Sequence, residues 1–164
     1  MTRRREDRKA MSDSDNLALW SALNQLMAKF WADVDENGGS HAHEFYVQDG
    51  LYVIGNNRFE GREKIEAFYA RRRHGTIMTR HLLCNLQVFG DGEPHARMVG
   101  LMSLYRADGK SPFQGARPPA MIADFEASCV RGDDRQWRFQ SHLLRPFIVG
   151  SDLPASIMIN SRTL

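Results

Sequence analysis

Cysteine is scarce in this chain, which has only two in 164 residues, Cys84 and Cys129. They form neither a CxxC pair nor a cysteine and histidine spacing typical of zinc ligands. A small secreted protein that depended on disulfides would carry more of them. We therefore expect both thiols to be buried and reduced, and the protein to be cytoplasmic.

Long apolar runs and a strong charge of one sign are also missing. No stretch approaches the roughly 20 apolar residues that span a bilayer, and no signal-peptide core follows the polar start MTRRREDRKA. The net charge is only +2, so the chain lacks the basic surface of a nucleic-acid-binding protein. We therefore expect neither a membrane nor a nucleic acid as a partner. Phosphate-binding glycine loops and serine nucleophile motifs are absent as well.

The patterns that are present predict one α+β domain. Residues 1–16 are polar and aperiodic, which predicts a disordered arm, and residues 150–164 form a tail. In the domain between them, residues 17–149, three helical patterns precede four long β-type segments. This order favours three helices packed in the concavity of a strongly bent antiparallel or mixed sheet, with a ligand cavity between helix and sheet.

The helical patterns differ in length. Apolar residues recur at three- and four-residue steps over residues 17–34, as on one face of an amphipathic helix, which Gly38 ends. Ser40 can cap a second helix that runs to about Val47. A third helix is predicted after Gly61.

The β-type segments form two predicted hairpins, residues 81–89 with 95–105 and residues 121–131 with 136–149. Alternation gives the first strand two faces, one with His81, Leu83, Asn85 and Gln87 and one with Leu82, Cys84, Leu86 and Val88. The second face is wholly apolar, and the first carries every polar group. The polar face either meets solvent or lines a pocket, and alternation alone favours solvent.

Asp35 stands at the end of the first helix, where its carboxylate continues the buried face. It either frays into water or fixes the tautomer of a histidine, as an aspartate does in hydrolytic triads. Sequence spacing alone does not show whether Asp35 and His81 meet. We expect no metal site, because His41 and His43 would project apart on a helix and no spacing supports Asp35, His81 and His142 as ligands.

Several motifs occur in a characteristic order. They are the long helix ending in Asp35, the segments FYVQDG and FEGREKI, the RHxxxN motif from Arg80, and later DFE and QWRF. Together they cover residues 17–148 and resemble the SnoaL-like branch of the nuclear-transport-factor-2-like (cystatin-like cone) superfamily. The resemblance implies a cone-shaped single domain.

Around the expected pocket the sequence is similar to scytalone dehydratase and hexachlorocyclohexane dehydrochlorinase. In those enzymes a helix-one aspartate and a strand histidine form a dyad, which carries over to Asp35 and His81. The resemblance implies a cofactor-independent lyase or isomerase that abstracts a proton from a small hydrophobic hydroxy or keto compound, cyclic compounds included. The residues expected to bind this substrate are Asn85, Tyr105, His142, Tyr46, Trp31, Phe30 and Phe125.

Two departures from the family pattern leave alternatives open. The second histidine of scytalone dehydratase is missing near Tyr105, and His142 replaces the arginine found in many relatives. His142 either points into the pocket or is a hydrogen-bonded strand residue. The alternative function is a non-catalytic small-molecule-binding or assembly module, including a role like that of an oxygenase small subunit. In either case we expect a homodimer or homotrimer through the outer sheet face.

Overall fold

A computed structural model of the protein describes residues 12–71, 75–91 and 93–151. Its elements are α1 (Asp13–Glu36), a 3-10 helix (Ala42–Phe45), β1 (Tyr46–Ile54), β2 (Asn57–Glu60), α2 (Arg62–Ala70), β3 (Ile77–Gly90), β4 (His95–Asp108), β5 (Met121–Arg131) and β6 (Trp137–Val149). The six strands form one sheet in the order β2-β1-β6-β5-β4-β3. Strands β1 and β6 are parallel and the other neighbours antiparallel, which confirms an α+β fold with a mixed sheet. No helix in these ranges is long and apolar enough to cross a membrane.

Helix α1 begins earlier than the sequence pattern indicated. Ser12 is its N-cap, and the Ser12 hydroxyl oxygen accepts a hydrogen bond from the backbone N–H of Asp15. Residues 13–16 therefore belong to the helix and not to the arm predicted for residues 1–16. The remainder of that arm, residues 1–11, and the predicted tail from residue 152 onward lie outside the described residues.

The predicted second helix is a single 3-10 turn, so the described residues contain two α-helices rather than three. The backbone N–H of His41 donates to the carboxylate of Asp33, which anchors the chain just after α1. Tyr46 already pairs with Phe139 in the sheet. Too few residues remain between these anchors for an α-helix. The pattern also missed β2, which a turn at Gly55 folds back onto β1.

The apolar face of α1 packs on the sheet as predicted, although the exposed Leu17 and Trp20 lie outside the buried part of that face. Phe30 is the centre of the core and is fully buried. Seven rings have centroids 4.7–6.5 Å from its own, those of Trp31, Phe45, Tyr46, Tyr52, Tyr69, Phe139 and His142. Burying a side chain of this size contributes about 1.5–3 kcal/mol. Close packing therefore accounts for Phe30 without a ligand.

A bulge in β3 changes which side chains face the core. The pairing with β4 shifts between Cys84 and Gln87, and Asn85 adopts a positive φ of 53°. One extra residue reverses the alternation from that point. Thr79 and Leu83 face inward before the bulge, as do Leu86 and Val88 after it.

The bulge corrects two expectations. Asn85 and Gln87 do not share the inner face with His81 but are exposed, which removes the structural basis for Asn85 as a pocket residue. Leu82 and Cys84 point outward, so only Cys129 of the two thiols is buried. Opposite the bulge stands Gly100, where a Cβ atom would lie 2.7 Å from the ring of Phe125.

A second irregularity, in β6, turns His142 inward. Cys129 pairs with Phe139 and Ser128 with Ser141, so Gln140 is an extra residue in β6. Phe139 and His142, three residues apart, are therefore both buried.

The outer face of the sheet carries exposed apolar side chains. Tyr105 is among them, because it pairs with Arg80 on the outer face while its neighbour Leu104 pairs with His81 on the inner one. The expectation that Tyr105 lines the pocket is therefore wrong. Assembly into a dimer or trimer through this face stays a prediction.

Candidate functional site

Asp35 and His81 form a buried pair between α1 and β3. His81 Nδ1 lies 2.7 Å from Asp35 Oδ1, and the backbone N–H of His81 donates to Oδ2 at 2.8 Å. The side chains are only 3% and 8% exposed for His81 and Asp35 respectively. Two contacts to one carboxylate fix both its position and the plane of the imidazole.

Thr79 completes the support of the carboxylate, although it is not among the residues predicted from the sequence. Its hydroxyl donates to Asp35 Oδ1 at 2.7 Å, and the side chain is buried. Thr79 precedes His81 by two residues and therefore shares its strand face. That alternation was the signal that could have identified it.

The electrostatics of the pair fix its protonation. Burial raises the pKa of Asp35, but hydrogen bonds from His81 and Thr79 and attraction to the imidazole outweigh burial and lower that pKa overall. Asp35 is therefore an ionised acceptor, and His81 Nδ1 must be the donor. In the neutral imidazole the basic lone pair then lies on Nε2.

Without the hydrogen bonds from His81 and Thr79, a negative charge at the position of Asp35 would be unfavourable. It lies at the C-terminal end of α1, where the helix dipole is negative, and the last turn has no basic residue. The donors from β3 replace the missing positive charge, so helix and sheet are joined at this carboxylate.

Trp31 also fixes the orientation of the His81 imidazole, by packing against a face of that ring. Its ring stacks on His81 with centroids 3.9 Å apart and planes 17° apart. Trp31 lies one helical turn before Asp35, so one face of α1 supplies both neighbours of His81.

His142 lies beside Trp31, in the core. The ring centroids of the two residues are 5.7 Å apart, and His142 Nδ1 is 3.1 Å from the hydroxyl oxygen of Tyr46. Burial and, secondarily, repulsion from His81 lower the pKa of His142 to about 3. His142 is thus a neutral imidazole beside Trp31, and it is hydrogen-bonded as well as inward-facing.

The remaining predicted site residues are found on both faces of the sheet. Phe30, Tyr46 and Phe125 are buried on the inner side, with the Phe125 and His142 centroids 6.3 Å apart. Their roles toward a substrate stay predictions. Within the described part of the chain, no group of three His, Cys, Asp or Glu side chains is arranged to hold a metal ion.

A surface cleft of about 370 Å³ lies elsewhere, between α1, the 3-10 helix and the β5–β6 turn. His41, Lys29, Arg135 and Trp137 are among the residues that line it. Neither Asp35 nor His81 belongs to this cleft, so it is separate from the buried pair.

Comparison with known proteins gives a family and a fold. A family profile described as a SnoaL-like domain matches residues 15–142. A search of curated protein sequences finds no match. Among solved structures, a candidate scytalone dehydratase from Novosphingobium aromaticivorans superimposes with a TM-score of 0.76 and 18% identity, over 92% of this chain and 99% of that one.

Two further structures are similar. A Catenulispora acidiphila protein in complex with S-DNPA has a TM-score of 0.64 and 17% identity, over 79% of this chain and 94% of its own. A Nostoc punctiforme protein of unknown function with a cystatin-like fold has a TM-score of 0.64 and 16% identity, over 89% and 98%. At these identities the likeness shows a shared cystatin-like fold.

Proposed function

The chain belongs to the SnoaL-like domain family, and we propose that it is a cofactor-independent lyase or isomerase in which His81 transfers a proton and Asp35 orients it. The observation that carries the proposal is the buried 2.7 Å contact between His81 Nδ1 and Asp35 Oδ1. An ionised carboxylate on one nitrogen stabilises the imidazolium that forms when the other nitrogen takes a proton.

In the proposed reaction, His81 Nε2 removes a proton from a carbon beside a carbonyl or a leaving group. The C–H electron pair becomes the new C=C bond or the enolate. In an elimination the C–O bond breaks, and the oxygen leaves as water after it receives the proton from the imidazolium. In an isomerisation the imidazolium returns the proton to another carbon, so no electrons are gained or lost.

The surroundings of the pair favour a small hydrophobic substrate with a hydroxy or keto group, cyclic compounds included. Trp31 stacks on His81, and Leu104 pairs with His81 across the inner face of the sheet. An apolar site keeps water away from the imidazole and strengthens its contact with Asp35. The proteins of similar fold include the candidate scytalone dehydratase and a protein crystallised with a small molecule. Both are consistent with this substrate class.

Deuterium exchange tests the proposal without knowledge of the natural substrate. The α-protons of 2-tetralone, a bicyclic ketone, exchange in D₂O when a base removes them, and NMR follows the loss of signal. We expect the wild-type protein to accelerate this exchange, and His81→Ala to reduce the protein-dependent rate by about 10²–10⁴-fold. His41→Ala, which changes an exposed histidine also bonded to an aspartate, is the matched control and should exchange like the wild type.

Circular dichroism and the melting temperature must show that His81→Ala remains folded. Equal rates in wild type and His81→Ala would contradict the proposal. Binding of 2-tetralone with the same affinity in wild type and Asp35→Asn, together with no exchange in either, would favour the non-catalytic binding module instead.

A further inference from the structure

Two buried nitrogen atoms beside the proposed dyad have no hydrogen-bond partner among the described residues. They are Nε1 of Trp31 and Nε2 of His142. Buried polar groups in native proteins are nearly always hydrogen-bonded, because an unpaired donor loses its bonds to water without replacement. Two such atoms on adjacent rings indicate that a ligand supplies the missing acceptor.

The two rings are adjacent to each other and to the dyad. Trp31 stacks on His81 at 3.9 Å, and His142 meets Trp31 edge to face at 5.7 Å. The hydrogen bond of His142 to Tyr46 fixes the orientation of the His142 ring. Both nitrogens therefore belong to side chains that packing holds in place.

The chemistry of the His142 nitrogen follows from Tyr46. If the Tyr46 hydroxyl donates to His142 Nδ1, both atoms are satisfied and only an N–H at Nε2 remains unpaired. The opposite tautomer would leave the Tyr46 hydroxyl hydrogen and the Nε2 lone pair without partners in the described residues. The first arrangement leaves fewer unpaired groups, so Nε2 of His142 is a donor, as the indole N–H of Trp31 always is.

We propose that the N–H groups of Trp31 and His142 bind an oxygen atom of the substrate, and that the substrate class is therefore a ketone whose oxygen becomes an enolate. This inference rests on the proposed function for its catalytic meaning, but the oxygen-binding subsite can be tested by itself. Neutral donors held in an apolar site stabilise negative charge that develops on a carbonyl oxygen when His81 removes the adjacent proton. A halogenated hydrocarbon that loses halide has no carbonyl oxygen to accept hydrogen bonds from these two N–H groups.

The test compares two probes that differ in one group. 4-Nitrophenol binds as a phenolate or phenol with an oxygen acceptor, and its absorbance reports the ionised form. 4-Nitroanisole has the same ring with a methylated, much weaker acceptor. We expect the wild type to bind 4-nitrophenol about tenfold more tightly than 4-nitroanisole, as one or two hydrogen bonds to a charged oxygen would give.

Two variants remove the donors while retaining the packing. Trp31→Phe keeps a ring against His81 without the N–H, and the double variant Tyr46→Phe with His142→Leu removes the His142 donor without orphaning the tyrosine hydroxyl. Each should weaken 4-nitrophenol binding about tenfold and change 4-nitroanisole binding less than twofold. Melting temperatures identify any variant that has unfolded, and the other variant then decides the result.

An unchanged preference for 4-nitrophenol in both variants would overturn the inference, and the two nitrogens would then bind an ordered water only. Asp35→Asn separates this inference from the proposed function, because it leaves both donors in place. If Asp35→Asn and wild type exchange 2-tetralone at equal rates but the donor variants bind 4-nitrophenol more weakly, the dyad is not catalytic and the subsite stands. If the donor variants bind 4-nitrophenol as tightly as the wild type while Asp35→Asn exchanges 2-tetralone more slowly, the subsite is refuted and the dyad stands.

Discussion

The last turn of α1 carries two aspartate–histidine pairs with almost the same hydrogen bonds. Asp33 accepts the backbone N–H of His41 at 2.9 Å, and its other oxygen lies 3.1 Å from His41 Nδ1. Asp35 contacts His81 in the same two ways at 2.8 and 2.7 Å. Both carboxylates are nearly buried, at 7% and 8% exposure. The bonding pattern therefore does not distinguish a structural pair from a candidate catalytic one.

The histidines differ where the aspartates do not. His41 is 62% exposed and His81 only 3%. His41 follows Asp33 closely in sequence, so their contact closes the turn after the helix, whereas the contact of Asp35 with His81 joins α1 to β3. An imidazole in water gains little from a carboxylate, since solvent screens the pair, while one stacked under Trp31 keeps the full effect. Burial of the imidazole, rather than the presence of a carboxylate partner, separates the two sites.

The largest difference between the two pairs is expected when each carboxylate is neutralised in turn. Asp35→Asn places an amide opposite His81 Nδ1 and should lower the rate of 2-tetralone exchange by about a hundredfold or more, because the amide does not stabilise an imidazolium. Asp33→Asn should leave that rate within about twofold, since its pair closes a turn. Parallel NMR exchange measurements decide. Equal losses in both variants would mean that the two pairs do not differ in function.

A third histidine sharpens the comparison, because His142 is buried without a carboxylate. Its folded-state pKa is about 3, below the value of about 6.5 expected in the unfolded chain. Below pH 6.5 the unfolded state therefore binds a proton that the folded state does not, and stability falls as pH decreases toward 3. We expect the melting temperature of the wild type to fall by several degrees between pH 7 and 4.5.

The double variant Tyr46→Phe with His142→Leu isolates this effect, since the lowered pKa of Asp35 influences stability only near and below pH 4. Its melting temperature should be less steeply dependent on pH over the same interval. Identical slopes in variant and wild type would show that His142 does not carry the acid sensitivity.

The smallest expected effect comes from the third donor of each pair. Thr79→Val removes the hydroxyl that donates to buried Asp35 and should cost about 1–2 kcal/mol of stability, with a few-fold slower exchange of 2-tetralone. Asn37→Ala removes the corresponding amide donor to Asp33, at 3.2 Å, and should cost about 0.5 kcal/mol or less because Asn37 is exposed. Urea unfolding curves measure both. A larger loss in Asn37→Ala would reverse the assignment of the important pair.

Sequence patterns were most informative where structure is local. The apolar period of α1 is set by 3.6 residues per turn, so it correctly placed Phe30 and Trp31 in the core and Asp35 at the end of the same face. The acidic last turn without a basic residue was a further local signal, because it opposes the helix dipole and requires donors from elsewhere. Thr79 was accessible in the same way, through its spacing from His81.

The strand faces could not be predicted in this way beyond the first bulge. A strand has a period of two, so one extra residue exchanges its faces, and the bulges at Asn85 and Gln140 do so in β3 and β6. Alternation therefore placed Asn85 wrongly and left the direction of His142 open. The bulge in β3 lies opposite Gly100, whose lack of a side chain admits the ring of Phe125. The position of this bulge therefore depends on packing across the three strands β3, β4 and β5.

The sequence by itself determined the α+β class, the buried face of α1 and the order of motifs that marks a SnoaL-like domain, because each depends on residues close together in the chain. Only the tertiary structure decided that Asp35 meets His81 rather than water, that Thr79 supports the carboxylate, and that His142 lies beside Trp31. Those contacts join a helix to distant strands, and their geometry follows from sheet register and bulges, which no local period encodes.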